Sequence, residues 1–363
     1  MKSVVTIFLC LLSASFFCQN KFEMNISAEQ FEKDSLFISP VGYSKYSEMV
    51  IHTNDEVKYN NQFCTATAKV INGKTLVSGV TQYPILVNIS FYDPKINGGY
   101  ISKPFILENI KYDIYIKDKF LDFDLVSTSS ANKDFQNIEN LTKNINDSLA
   151  TSQNNDPKFI VEKQKRIRHL IKKDPSSFGA FWVIVSDYSR FGFNKIYLEN
   201  LKLFSKKIKG SKAYKQFLKD LEIENSTEIG GNFPTLKFDN TNQISKADFQ
   251  NYQLTLIDYW ATSCKPCIED MPKLVELYNK YKEKGINFIS VADENEKQKK
   301  ELADKILTEN KVTWKNYFDI NKEFPSKLNS NGYPLQILVD SNGKIVEKKY
   351  GGLEDIIKLL EKY

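Results

Sequence analysis

The pattern of hydrophobic positions changes twice along the chain. From Phe22 to Val126 short runs rich in β-branched and aromatic residues alternate with turn signals: Ala66 to Ile71, Asn72-Gly73, then Lys74 to Ser78. Ile85 to Tyr92, Pro104 to Leu107, Tyr112 to Ile116 and Leu121 to Val126 follow. Asn-Gly between two such runs predicts a hairpin, and the whole set predicts an antiparallel β-sandwich or partial barrel. Beyond Ser127, Phe135, Ile138, Leu141, Ile145 and Leu149 recur at steps of three and four, the spacing of one helix face, and helices are expected to about Leu221. Asp156-Pro157 and Asp174-Pro175 each set a capping carboxylate before a proline that the first helical turn tolerates, so a helix is expected to begin at each. Phe178, Phe181, Trp182, Tyr188, Phe191 and Phe193 read as the packed interface of these helices.

From Phe233 strands and helices alternate. Leu254 to Trp260 (strand), Pro266 to Lys284 (helix), Asn287 to Ala292 (strand) and Glu294 to Glu309 (helix) lead to a short strand near Trp314. Leu335 to Asp340, the turn Ser341-Asn342-Gly343, Lys344 to Lys348 and a last helix from Leu353 to Lys362 complete the set. Leu254 to Ile257 and Ile337 to Val339 are apolar on both faces, as central strands covered by helices must be. The chain therefore reads as multi-domain, with an antiparallel β-rich domain over 19–130, a helical segment over 131–226 and an α/β domain over 227–363.

Ahead of these, Val4 to Phe17 is almost wholly apolar, with Lys2 before it and Gln19-Asn20-Lys21 after it, the layout of a secretory signal peptide over 1–18. A bilayer-crossing helix wants about 20 apolar residues, so a soluble exported chain in the periplasm or cell envelope is expected. Cys18 offers a rival reading as a lipid anchor, but bulky Phe16 and Phe17 stand where small residues precede an acylated cysteine.

At 363 residues the chain exceeds a single small module, and 26% charged with 41% apolar residues excludes a disordered or low-complexity protein. The net charge of +5 is uneven, with 16 basic and 8 acidic residues over 151–226. No matching aromatic stripe accompanies that excess, which reads as solvated helix faces and not as a nucleic-acid surface. The only two histidines, His52 and His169, lack metal-ligand spacing, which sets aside most zinc and histidine-based catalysis. Of five cysteines, Cys10 and Cys18 leave with the signal, and Cys64, Cys264 and Cys267 are too few for a disulfide scaffold. Cys64 reads as a small buried hydrophobe in a strand, its alternative being an exposed thiol or an intermolecular bridge.

The remaining chemistry lies in Cys264-Lys265-Pro266-Cys267, which follows a strand and a sharp turn and opens a helix. A spacing of three brings two cysteine Cα atoms within the roughly 4.4 to 6.8 Å that a disulfide tolerates. The N–H groups and dipole of the helix favour a thiolate at Cys264, and Lys265 adds a positive charge nearby. A metal site would need a second ligand pair that the sequence lacks. For any thiol, lowering the pKa from about 8.5 to about 6.5 raises the thiolate fraction at pH 7 from about 3% to about 76%, yet costs about eightfold in nucleophilicity. The larger consequence is that Cys264 is a good leaving group when a thiol attacks the sulfur bonded to it, while Cys267 resolves the mixed disulfide, provided a base takes the Cys267 proton. Asp258, the sole acidic residue in the apolar strand, is the candidate, because burial raises a carboxyl pKa toward neutrality. Its alternative is a hydrogen-bonded strand residue with no catalytic part.

Leu256 to Cys267 resembles the active-site segment of thioredoxin-like proteins, and the resemblance covers roughly the last 130 residues. Asp258 matches their buried carboxylate, Trp260 the aromatic flanking the site, Pro272 the kink in the active-site helix, and Tyr333-Pro334 the cis-proline loop facing the thiols. The export signal, the hairpin before Asp258 and Asp340-Ser341-Asn342-Gly343-Lys344 are similar to the TlpA/ResA-like branch, some of whose members carry a β-rich N-terminal domain and a helical segment. The resemblance implies a C-terminal α/β thioredoxin-like fold and a thiol:disulfide oxidoreductase working as a reductase. Cys264 would be the nucleophile, Cys267 the resolving thiol, and Pro334 the residue offering backbone groups to an extended client. Trp260, Ser263, Lys265, Pro266 and Tyr333 would line the substrate groove. No cofactor is implied. The implied partners are disulfide-containing client proteins and a membrane-bound electron donor, with room for peripheral membrane association.

Ser263 departs from the branch, which places Trp before the first cysteine, and Asp270 stands where many members have Glu. Asp270 is thus a candidate proton relay or simply a first-turn carboxylate complementing the helix dipole. A peroxidase reading fails on Ile257 and Ala261, where peroxiredoxin-like sites place Pro and Thr. The other readings left open are a redox-silent binding module with a structural disulfide and an exported disulfide oxidase or isomerase.

Overall fold

Alternation along the first part of the chain becomes one buried face in strands such as Phe22–Ser27 and Lys74–Thr81. The computed structural model describes residues 21–29, 34–42, 44–151, 157–330, 332–351 and 353–362. The expected signal over 1–18, with Cys10 and Cys18, and the Asp156 cap lie outside them. The strands are β1 (Phe22–Ser27), β2 (Ser35–Pro40), β3 (Met49–His52), β4 (Val57–Asn60), β5 (Thr65–Lys69), β6 (Lys74–Thr81), β7 (Ile85–Asp93), β8 (Gly98–Ile101), β9 (Phe105–Leu107), β10 (Lys111–Ile116) and β11 (Phe123–Ser127). They form two sheets, ordered β11-β10-β1-β6-β3 and β4-β5-β2-β7-β8, with β9 also paired to β7. Every pairing is antiparallel except β1 with β10, which is parallel. Phe22, Met24 and Ile26 of one sheet and Leu36 and Ile38 of the other are buried alternately, and Phe105 packs its ring 6.1 Å from Tyr112 and 5.7 Å from Phe123.

The expected hairpin at Asn72-Gly73 is half present. Both residues take positive φ, 50° and 69°, and Ile71 and Lys74 exchange backbone hydrogen bonds across the turn. The flanking strands then part: β5 pairs with β2 and β4, and β6 with β1 and β3. A tight turn reverses the chain but does not decide which partners cover the alternate side chains, and here it makes a corner between sheets. Cys64 is likewise not in a strand. It is a half-buried free thiol in the turn before β5, at φ 49°.

The helices are α1 (Ser130–Thr151), α2 (Pro157–Lys173), α3 (Phe178–Phe191), α4 (Lys195–Leu201), α5 (Lys206–Lys209) and α6 (Lys212–Ser226). Pro157 opens α2, but Asp174-Pro175 does not open α3. The Asp174 carboxylate accepts the Ser176 N–H at 2.9 Å in a turn closing α2, and Ser177 caps α3 by accepting the Ala180 N–H at 2.9 Å. Helix α3 is buried all round from Phe178 to Val185. Trp182 donates its indole N–H to the Pro84 carbonyl at 2.7 Å and Phe178 stacks on Tyr83, which is why Ile85, Leu86 and Val87 at the start of β7 are buried on both faces. Lys163 of α2 departs from the expectation that the basic excess is solvated. It is buried against Asp187 of α3 at 2.7 Å, and Gln164 donates to the other Asp187 oxygen at 2.7 Å.

The second half contains β12 (Leu236–Lys237), β13 (Gln243–Ile244), β14 (Leu254–Trp260), α7 (Lys265–Tyr281), β15 (Ile286–Ala292), α8 (Lys297–Glu309), β16 (Lys315–Phe318), α9 (Glu323–Leu328), β17 (Leu335–Asp340), β18 (Ile345–Tyr350) and α10 (Glu354–Leu360). Its five-stranded sheet runs β16-β15-β14-β17-β18, with β14, β15 and β16 parallel and β17 and β18 antiparallel to their neighbours. This is the mixed central sheet of a thioredoxin-like fold. All seven residues of β14 are buried. Ile257 and Tyr259 pack with Phe324, Ile337 and Val339 on one face, and Leu254 and Leu256 with Leu274, Leu277 and Ile356 on the other. The short helix α9 carried no sequence signal: six residues with Pro325 among them are too few for a period to show.

The described residues fall into two compact units, one running to Gly192 with Glu199–Gln216, the other comprising Phe193–Leu198 and the chain from Phe217 onward. Among the described residues no helix is long and apolar enough to cross a membrane.

Replacing Asp187 with Ala leaves the Lys163 ammonium buried without its counter-charge. The expected loss is about 3–5 kcal/mol of unfolding free energy, read from denaturant titration of the full chain. A loss under about 1 kcal/mol would show that the pair is hydrated.

Candidate active site

Strand β14 ends at Trp260, and the chain turns through Ala261 to Ser263 before α7 begins. Cys264 is the N-cap of α7, with φ −90° and ψ 92°, and its Sγ accepts the Cys267 N–H at 3.2 Å. Pro266 lies in the first turn, where its missing N–H costs nothing. Cys264 and Cys267 are joined as a disulfide with Cα atoms 5.3 Å apart. Cys264 is 8% exposed and Cys267 2%, so the first sulfur is the one nearer solvent. Ser263, Lys265, Pro266 and Tyr333 are exposed. Lys265 pairs with Glu269 at 3.5 Å in open solvent, which leaves the helix terminus as the main positive pole beside Cys264.

Trp260 does not line a groove. It is fully buried, donates its indole N–H to Asn316 Oδ1 at 3.2 Å, and packs with Met271, Ala303 and both cysteines behind the turn. The cover on both faces of β14 extends to its last residue, which accounts for the difference.

The loop after β15 supplies two carboxylates that the sequence did not single out. Glu294 is buried and accepts both the backbone N–H and the hydroxyl of Thr262, at 2.7 and 2.6 Å, tying down the turn that leads into Cys264. Asp293 accepts from the Tyr333 hydroxyl and the Lys322 ammonium, while the Tyr333 ring lies 5.2 Å from that of Tyr259. Sequence periodicity placed Glu294 at the start of a helix; α8 begins three residues later, at Lys297. A readable signal existed in the acidic pair that ends an apolar strand.

The Tyr333–Pro334 peptide is cis and Pro334 is buried. Its carbonyl accepts the Gly351 N–H at 3.0 Å, and as a proline it has no N–H to donate.

Asp258 is buried in β14 opposite Gln336 of β17, whose Nε2 donates to Asp258 Oδ1 at 3.0 Å. Burial pushes its carboxyl up to about 7, and the negative charge of Asp270 adds to this while the Gln336 hydrogen bond works against it. Asp270, half-buried on α7, is itself raised by burial, with Lys273 pulling it down and Glu269 pushing it up. The structure thus brings Asp258 and Asp270 within electrostatic reach of each other. His52 and His169 are exposed, and among the described residues no group of three or more His, Cys, Asp or Glu is placed to hold a metal.

A carboxyl raised by folding binds its proton more tightly in the native state, so Asp258 lowers stability progressively between about pH 4 and pH 7 and by a constant amount above. Asp258→Asn, in the oxidised protein, should therefore gain on the wild type across that window, by up to about 4 kcal/mol at pH 8 and by nearly nothing at pH 4. Parallel denaturation curves for the two proteins, with a constant gap at every pH, would contradict this.

Residues 228–359 match the Redoxin family. The thiol-disulfide oxidoreductase ResA of Bacillus cereus is 35% identical over 96 residues, covering 26% of this chain and 53% of the relative. ResA of Bacillus thuringiensis subsp. konkukian is 31% identical over 153 residues, covering 39% of this chain and 79% of the relative. The thioredoxin domain of a thiol-disulfide oxidoreductase from Bacteroides vulgatus shares 30% identity over 37% of this chain and 96% of that domain, with a TM-score of 0.32. The chain spans about half the length of the first of these curated relatives. Identity across most of the second, falling on a domain with this sheet order, is what common descent produces. The chain belongs to the ResA-like family of thioredoxin-fold thiol-disulfide oxidoreductases.

Proposed function

We propose that this protein is an exported thiol-disulfide oxidoreductase that reduces disulfides of client proteins. The observation that carries this is the seat of Cys264, capping α7 with its sulfur on the Cys267 N–H and with a buried carboxyl in the strand behind. Export and direction rest on the signal-like residues 1–18 and on the resemblance, as does a membrane-bound electron donor. The β-rich domain over 19–130 and the helical segment over 131–226 would be carried with a redox domain over 227–363.

In the reduced protein the Cys264 thiolate attacks one sulfur of a client disulfide, forming a Cys264–client bond and releasing a client thiolate. Cys267 then gives its proton to Asp258, directly or through a water, and attacks Cys264 Sγ. The 264–267 disulfide forms and the second client thiolate leaves. Two electrons pass to the client, and its two thiolates take up protons. The N–H groups of the first turn of α7 stabilise the Cys264 thiolate before the first attack and whenever the reverse exchange releases it. A donor dithiol restores the pair by the reverse exchange. Ser263, Lys265, Pro266 and Tyr333 would form the client-facing surface, with Asp270 as a second carboxylate able to relay the proton.

Cys264→Ser should abolish exchange, whereas Cys267→Ser should permit the first attack and accumulate mixed disulfides with clients in the exported compartment. If Cys267→Ser yields no reducible adducts beyond those of the double variant, the nucleophile is misassigned. Asp258→Asn should slow resolution roughly ten- to a thousandfold near pH 7 while leaving the first attack little changed, as stopped-flow with a model disulfide would resolve. Equal resolution rates from pH 5 to 9 would leave Asp270 as the remaining carboxylate candidate.

A further inference from the structure

Strand β17 is apolar at every buried position except Gln336, which is fully buried and pairs in register with Asp258. One end of its amide is satisfied: Nε2 donates to Asp258 Oδ1 at 3.0 Å. The other end, Oε1, is buried with no hydrogen-bond partner. An orphaned acceptor in a core is costly, and a leucine or methionine would fill the same space without that cost.

An amide offers a donor and an acceptor on one planar group, and half a turn about its last bond exchanges them. We propose that Gln336 is a positioning residue for the proton step: its N–H holds the ionised Asp258 carboxylate, and its orphaned oxygen, after the amide turns, accepts the O–H of the protonated carboxyl. This rests on the reading of Asp258 as the base for Cys267. The same side chain then keeps Asp258 in place in both of the protonation states that resolution passes through. No bond to Gln336 is made or broken; the proton stays between Cys267, Asp258 and water.

The surroundings of Asp258 leave this part to Gln336. Strand β15 brings Ser290 into register, where its hydroxyl accepts the Trp314 indole N–H at 2.8 Å, while the hydrogen bond to Asp258 comes from Gln336. Helix α7 brings Asp270, whose charge opposes ionisation of Asp258, while Lys273 and Glu269 act on Asp270. Strand β17 brings the amide. The Gln336 N–H is thus the interaction that favours the carboxylate against burial and Asp270 together.

The test uses Gln336→Met in the full-length protein, with Gln336→Leu as a second apolar variant should the first fold poorly. The Asp258 carboxyl is titrated by its side-chain carbon resonance in the oxidised protein, assigned with Asp258→Asn. Its midpoint should rise by about 0.5–1 pH, the difference between losing a hydrogen bond to the carboxylate and losing one to the neutral carboxyl. Stopped-flow resolution should fall roughly two- to sixfold at pH 7 and return toward the wild-type rate by pH 9. A midpoint that stays at the wild-type value in a folded variant overturns the proposal, as does a rate lowered by the same factor at every pH. A midpoint that rises while resolution shows no pH dependence upholds the pairing of Gln336 with Asp258 and instead removes Asp258 as the base.

Discussion

Strand β14 is covered on both faces, and the chemistry of the redox domain follows from that cover. Leu254 and Leu256 pack toward α7 and α10 while Ile257 and Tyr259 pack toward Phe324 and β17, so the strand has no freedom to slide or twist. Burying each of these large side chains contributes roughly 1.5–3 kcal/mol. The register so fixed sets Asp258 out of bulk water and delivers Cys264 just beyond the carboxyl end of this central strand, at the N-terminus of α7. The buried carboxyl and the helix-capping cysteine are two results of one packing arrangement.

Around that strand the loops are held by buried carboxylates. Glu294 fixes the turn at Thr262, and Asp319 caps α9 by accepting the Glu323 and Phe324 N–H groups at 2.7 and 2.9 Å. Asp293 joins Tyr333 to Lys322. These bonds hold the loops behind the site, while Ser263, Lys265, Pro266 and Tyr333 are exposed. On the proposed function, this opening suits clients that bring their own extended segment to the thiols.

The sequence is most legible where residues answer to one strong constraint. Leu254 to Ile257 and Ile337 to Val339 announce buried strands because no amphipathic strand could carry them, and Cys264 at a helix start follows from the strand, turn and proline around it. The pattern is silent where partners are distant in sequence. Asn72-Gly73 looks like a hairpin because the turn chemistry is local, whereas the sheets that claim β5 and β6 are not. Trp260 looks like a surface aromatic until the helices that cover it are in place. Glu294 and Gln336 are ordinary polar residues in the linear sequence and gain their meaning from Thr262 and Asp258, which lie 32 and 78 positions away.

The corner at Asn72-Gly73 also sets the order in which the β-rich unit can assemble. β1 lies between β6 and β10, and its Asn25 reaches a hydrogen-bond partner, Asp113, 88 positions further on. A chain emerging from its N-terminus therefore releases its first strand with no local hairpin to dock on. That strand waits with one edge open until some ninety residues have followed it, a topology of high contact order that folds slowly and leaves an apolar strand exposed meanwhile. Its residence in the unfolded state is thus set by the rate at which the chain is delivered, and a holdase acting on this protein would find its earliest target in Phe22, Met24 and Ile26.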